Sequence, residues 1–140
     1  MSAVKKEDKY GYIDREGKVV IPFIYDLCTS FDRYGTAIVG LNNKYGLIDV
    51  TGKEITPQLY DSIDDFSFEG IAYVSVDDKL GAIDTEGNEV IPIKYDRLYL
   101  TLVGEYSLAI LKGDTIYVDL KGNEYKYDRE GQEFKPLELK

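Results

Sequence analysis

Apolar and polar residues alternate in short runs along this chain, and the runs recur. Between Gly35 and Tyr60, the residues Ala37, Val39 and Leu41 take every second position, as in a strand with one buried face. Asn42-Asn43-Lys44 reads as a turn, because Asn tolerates the left-handed region. Tyr45 to Asp49 is a second strand. Asp49-Val50-Thr51-Gly52 is a second turn, read as type I with a left-handed Gly and a bulge after it. The aspartate side chain is placed to cap backbone N–H groups there. Lys53-Glu54-Ile55-Thr56 is a third strand, stopped by Pro57, which brings no N–H to a ladder. Leu59-Tyr60-Asp61 then crosses to the next unit. One unit is thus a three-stranded antiparallel meander with a short crossover.

The same register returns along the chain. Ile13-Asp14, Ile48-Asp49, Ile83-Asp84 and Val118-Asp119 stand 35 residues apart. Gly17, Gly52, Gly87 and Gly122 follow the aspartates; Pro22, Pro57 and Pro92 follow the first three glycines; Tyr25, Tyr60 and Tyr95, each before an Asp, close the units. Gly11, Gly46 and Gly81 precede the Ile-Asp pairs. Self-similarity at this period predicts an all-β array of tandem antiparallel three-stranded meanders forming a curved, solenoid-like sheet. A closed barrel or a small propeller is the alternative, since closure also removes free edges. One domain is expected over residues 1–140: a partial N-terminal strand at 1–8, repeats at about 9–43, 44–78 and 79–113, and a partial repeat with a C-terminal cap at 114–140.

Alternation also assigns faces. Ala37/Val39/Leu41, Ala72/Val74/Val76 and Ala109/Leu111 are expected in the core. So are Ile13, Ile48, Ile83 and Val118, with Val20, Ile55 and Val90. Gly11, Gly46 and Gly81 share that inward register, which predicts a close approach by another group. Tyr25, Tyr60 and Tyr95 are expected to plug the gaps between units. Ala109 is aligned with Ala37 and Ala72, so the hairpin Lys112-Gly113-Asp114 reads as shortened, with two residues gained between Leu98 and Tyr106. The polar stretch from Glu124, with a further turn at Asp128 to Gly131, suits a solvated terminal cap.

Composition narrows the function. A formal net charge of −9, with scattered lysines, argues against nucleic acid and against an anionic membrane surface. The chain has no histidine and a single cysteine, Cys28, so nucleophile systems built on His are excluded within it. No run is apolar for long enough to span a bilayer, and the N-terminus lacks the apolar core of a signal peptide. A cytoplasmic location is the expectation, or else a piece of a longer protein, since Met1 to Asp8 align with Thr36 to Asn43.

Together these signatures resemble the WG-repeat family, also called KWG repeats, of mostly bacterial proteins. The family pattern runs Lys-(Trp/Tyr)-Gly-x-Ile-Asp, two residues, Gly, then Ile-Pro, Tyr-Asp, Phe and Gly-x-Ala-x-Val. It matches Lys9-Tyr10-Gly11, Ile13-Asp14, Gly17, Ile21-Pro22, Tyr25-Asp26, Phe31, Gly35 and Ala37-Val39, and again from Lys44 to Val74 and from Lys79 to Ala109. The chain departs from the family in having no Trp; Tyr10, Tyr45 and Leu80 stand before the glycines. The resemblance implies an all-β repeat fold, brings no catalytic motif, and makes a protein-interaction role an analogy.

The expected function is therefore a non-catalytic scaffold that binds a protein partner, with no enzyme activity and no cofactor. Tyrosines that do not recur are the surface candidates: Tyr12, Tyr73 and Tyr117 first, then Tyr34, Tyr99 and Tyr106. Tyr12 and Tyr117 share an outward register with Leu47 and Ala82, and an exposed aromatic strip there would mark a partner site. Asp14, Asp49, Asp84 and Asp119 read as turn caps before they read as a Ca²⁺ ladder, and Asp61, Asp64 and Asp65 as a solvated loop. Cys28, in the register of Ile63 and Leu98, reads as a small apolar residue. A glycan or Ca²⁺ site on the Tyr/Asp rims, or a spacer role in a longer repeat protein, are the competing expectations.

Overall fold

The computed structural model describes residues 1–67, 69–103, 106–128 and 133–136. These residues form antiparallel strands and turns, with no helix and no sheet closed into a barrel. The first sheet holds β1 (Ser2–Lys6), β2 (Lys9–Ile13) and β3 (Val19–Tyr25) in that order. The second holds β4 (Leu27–Cys28), β5 (Thr36–Leu41), β6 (Lys44–Asp49) and β7 (Glu54–Tyr60). The third repeats it with β8 (Ser62–Ile63), β9 (Ile71–Val76), β10 (Lys79–Asp84) and β11 (Glu89–Tyr95). The fourth runs β12 (Arg97–Val103), β13 (Tyr106–Leu111), β14 (Asp114–Val118), β15 (Glu124–Asp128) and β16 (Glu133–Pro136). The crossover is more than a connector. After each Tyr-Asp it adds a strand to the edge of the next sheet, Leu27 pairing with Gly40 and Ile63 with Val74.

Turn chemistry explains the ladder. Glu7-Asp8, Asn42-Asn43, Asp77-Asp78 and Lys112-Gly113 all have positive φ, the two-residue hairpin geometry that matches strand twist. At the second turn, Asp14, Asp49, Asp84 and Asp119 each accept from the amides two and four residues on, at 2.9–3.1 Å. The glycines that follow sit at φ 81, 89, 84 and 81°. Asp32 builds the same cap ahead of β5, on Tyr34 and Thr36.

The hairpin assignment around Ala109 needs correction. Leu41 pairs with Lys44, Val76 with Lys79 and Leu111 with Asp114, so the loop is the same length each time. Ala109 faces Ile116 as Val39 faces Gly46 and Val74 faces Gly81; Ser107 takes the place of Ala72. Nothing was inserted upstream: Tyr106 stands 35 residues after Ile71, and β12 extends where β8 stops. The turn expected at 128–131 lies outside the described residues beyond Asp128.

A second correction concerns the third strand. Val20 is 41% exposed, whereas Ile21 is 1% exposed. Tyr12 pairs with Ile21 but Ile13 pairs with Val19, so Val20 is an extra, bulged residue. Ile55 and Val90 bulge in the same way and are half-buried, and the core positions pass to Thr56 and Ile91. Thr56 is polar but satisfied, its Oγ1 accepting from the Leu47 amide at 3.0 Å. A second shift, between Tyr10 and Tyr12, carries the strand backbone across the glycine. A Cβ on Gly11 would lie 2.6 Å from the Ile21 carbonyl oxygen, and one on Gly46 2.7 Å from those of Thr56 and Pro57.

Three hydrophobic clusters join successive sheets face to face. Tyr12, Ile21 and Tyr25 of the first sheet meet Ala37, Val39 and Ile48 of the second. Leu47 and Tyr60 of the second meet Ala72, Val74 and Ile83 of the third. Ala82, Ile91 and Tyr95 of the third meet Leu98, Ala109, Ile116 and Val118 of the fourth. Each sheet thus has an inner face (Val39, Gly46, Ile48) and an outer face (Leu47, Thr56), and the outer face of one covers the inner face of the next.

Candidate interaction surface

Stacking decides the fate of the tyrosines. Tyr12, expected outward, is fully buried because the second sheet covers its face. Its ring packs on Phe31 at 4.8 Å between centroids, and its hydroxyl donates to the Thr29 carbonyl at 2.6 Å. Burial, with Cys28 beside it, raises its pKa far above that of a free phenol. Tyr12 is therefore a core residue, not a partner surface. Cys28 is half-buried against the same cluster, and burial raises its thiol pKa.

Tyr73 is corrected as well. It is half-buried and lines a cavity of about 30 Å³ with Ser67, Ile71, Ile91, Ser107 and Leu120. That is room for about one water molecule. Its hydroxyl is buried without a hydrogen bond; Ser107 is the polar neighbour acting on it, outside good hydrogen-bond geometry. Burial pushes its pKa up to about 12.

Tyr117 occupies the same position in the fourth sheet as Tyr12, Leu47 and Ala82 in the others. Those three are wholly buried under a following sheet, whereas Tyr117 is half-buried. It pairs across the ladder with Tyr125 and lines a groove of about 430 Å³ with Thr115, Lys126 and Tyr127. On the same face, the Tyr106 and Tyr125 rings meet edge-on at 4.8 Å, and the Tyr125 hydroxyl donates to Asp119 at 2.9 Å. Burial works to raise the Asp119 pKa, but hydrogen bonds from Asn123, Lys121 and Tyr125 outweigh it and hold the carboxyl low. Tyr99 is exposed on β12, and Tyr34 reaches across to the next sheet, its hydroxyl donating to the Ser67 carbonyl at 2.8 Å.

The remaining signature residues serve the stack. Asp26, Asp61 and Asp96 each pair through one oxygen with Lys9, Lys44 and Lys79 of their own unit. Through the other they accept from the next hairpin: Asn42 N at 2.9 Å, Asp77 N at 2.7 Å and Lys112 N at 2.9 Å. The lysines, then these amides, hold all three carboxyls below the usual range. This latch was missed from sequence, although the recurring Lys and Asp at constant separation were its signal. Tyr25, Tyr60 and Tyr95 are buried between sheets, and Tyr95 donates to Glu124 at 3.0 Å. Pro22 and Pro57 lie exposed on their strands. Among the described residues, no three Asp, Glu or Cys side chains converge as a metal site, and no helix is long and apolar enough to cross a membrane.

Stacked antiparallel sheets, capped by identical turns and joined by one recurring latch, define an all-β repeat protein. The family model for the WG containing repeat matches residues 10–45, 45–79 and 81–100. The chain belongs to the WG-repeat family. No curated protein matches it.

Proposed function

We propose that this chain is a non-catalytic repeat scaffold, a solenoid-like stack with one sheet per 35-residue unit, that binds a protein partner. The observation that carries this reading is the groove of Thr115, Tyr117, Lys126 and Tyr127. Its face is the counterpart of faces that bind a neighbouring sheet everywhere else in the chain. Amphipathic tyrosine rings beside a cation suit a polar, partly aromatic protein contact. The recurring residues are engaged in caps, latches and packing, which leaves them no separate chemistry to perform.

The test is affinity capture from native extract with the intact chain, the Tyr117→Asp/Tyr127→Asp double variant and a Glu16→Lys control, each shown folded by circular dichroism. A protein retained by wild type and control, and lost with the double variant, is the expected result. Equal retention by all three rejects this face. A thermal shift with Ca²⁺ or a glycan, through ligand linkage, would instead favour a small-ligand role.

A further inference from the structure

The interface between the third and fourth sheets carries a cation that the one before it lacks. Lys94 and Tyr95, at the end of β11, both reach Glu124 at the start of β15. The ammonium donates to Oε1 at 3.2 Å and the phenol to Oε2 at 3.0 Å. The ammonium also lies 5.4 Å from the Tyr95 ring centroid. Between the second and third sheets, Leu59, Tyr60 and Glu89 hold those three places, each 35 residues earlier. The tyrosine and the carboxylate are kept, and leucine stands in place of lysine. Burial first, and then the charge of Glu89, raises the Tyr60 pKa, so the carboxylate acts on the phenol here too. Among the described residues, no hydrogen bond or ion pair engages the Glu89 carboxylate. Glu89 is exposed, whereas the Glu124 side chain, held by Lys94, is only 15% exposed.

Leu59, Tyr60, Val76, Glu89 and Ile93 line a groove of about 610 Å³ between these two sheets, and Leu59 is 60% exposed at its wall. We infer that this groove receives a lysine side chain of a partner protein. The incoming ammonium sits at Glu89 and Tyr60 as that of Lys94 sits at Glu124 and Tyr95, and its methylene stem lies along Leu59, Val76 and Ile93. The interface one repeat further on specifies the occupant: its cation is a lysine carried on an extended strand, so the ligand is a lysine within a peptide segment and not a free amine. The formal net charge of −9 favours the approach of such a segment. Between the first and second sheets Gln58 stands where Ile93 lines the groove, so a stem meets one apolar wall fewer there. The groove lies between the second and third sheets and does not depend on the Tyr117 face.

The experiment is a titration of the isotope-labelled full chain with the blocked peptide acetyl-Ala-Lys-Ala-amide, followed by backbone amide NMR. Saturable shifts centred on Leu59, Tyr60, Val76, Glu89 and Ile93 are expected at millimolar peptide. The same peptide with norleucine for lysine, which keeps the stem and removes the charge, should bind about tenfold more weakly, as should the lysine peptide to a Glu89→Gln chain. A Leu59→Lys chain supplies its own ammonium to Glu89 and should no longer bind the peptide, with signals from the first and fourth sheets unchanged. Absence of shifts overturns the proposal, as does equal binding of the norleucine peptide or equal binding by the Leu59→Lys chain. Shifts spread over the acidic turns, or centred on Lys126, also overturn it. Tighter binding of butane-1,4-diamine than of the peptide would assign the groove to a free amine and overturn the choice of partner.

Discussion

Gly46 and Ile116 hold the same place in the second and fourth sheets, and the two sheets make opposite demands on it. In the second sheet the third strand bulges twice, and its carbonyls come within 2.7 Å of where a Gly46 Cβ would stand. In the fourth sheet Tyr117 pairs with Tyr125 and Val118 with Glu124 in plain succession. With no strand backbone folded over it, Ile116 points into the core and is buried. The glycine is thus a consequence of the bulge, not of the repeat as such. Where the bulge goes, a large side chain returns and fills the space.

The sharpest way to break this comparison is to exchange the residues. Gly46→Ile is expected to cost about 3 kcal/mol or more, because backbone, not a flexible side chain, must move. Urea denaturation with an unchanged midpoint would refute the close approach. Ile116→Ala is expected to lose roughly 3 kcal/mol through the cavity left between the third and fourth sheets; chemical denaturation again measures it. A smaller contrast separates two turn glycines. Gly87→Ala should cost about 2 kcal/mol, combining a left-handed φ with contact at 2.6 Å to the Thr56 methyl. Gly17→Ala, with the same φ strain but open space, should cost about 1 kcal/mol. Equal midpoints for the two variants would show that inter-sheet contact adds nothing.

The smallest effects concern charge. Asp26, Asp61 and Asp96 titrate below their unfolded value, so their stabilisation is present above about pH 4 and is lost as pH falls through the lower folded value. These pairs are exposed, so each is a weak contributor and sets geometry more than stability. Asp61→Asn should flatten the acid limb of a melting-temperature profile slightly and leave neutral stability nearly unchanged. At the other end, Tyr12, Tyr73 and Tyr95 titrate above a free phenol. Their contribution is complete below about pH 10 and falls as pH rises towards the folded values. A Tyr73→Phe variant, relieved of a buried hydroxyl without a hydrogen bond, should lose less stability on the alkaline side than the parent.

Local chemistry was legible and stacking was not. The Asp-x-x-Gly turns, the paired left-handed hairpin residues and the alternation of β5 and β9 depend on neighbours a few positions away, so they read directly from the chain. Periodicity of two divides a strand into two faces but does not say how many of them are covered. Alternation puts Tyr12 outward once Ile13 points inward; in the stack both faces of β2 meet other atoms, and Tyr12 is the more buried of the two. The bulge at Val20 shifts the core to Ile21 because its position depends on pairing with β2, a non-local constraint. Tyr73 was displaced for the same reason, by the fourth sheet closing over it.

By itself, the sequence determined the Asp-x-x-Gly turns, the all-β antiparallel character and the family, since each rests on short-range hydrogen bonding, backbone preference or a recurring local motif. Tertiary structure alone decided which faces are used. Burial depends on what packs opposite, and only the stacking of sheets shows that Tyr12 is covered and that the core position of the third strand falls on Ile21 and not on Val20.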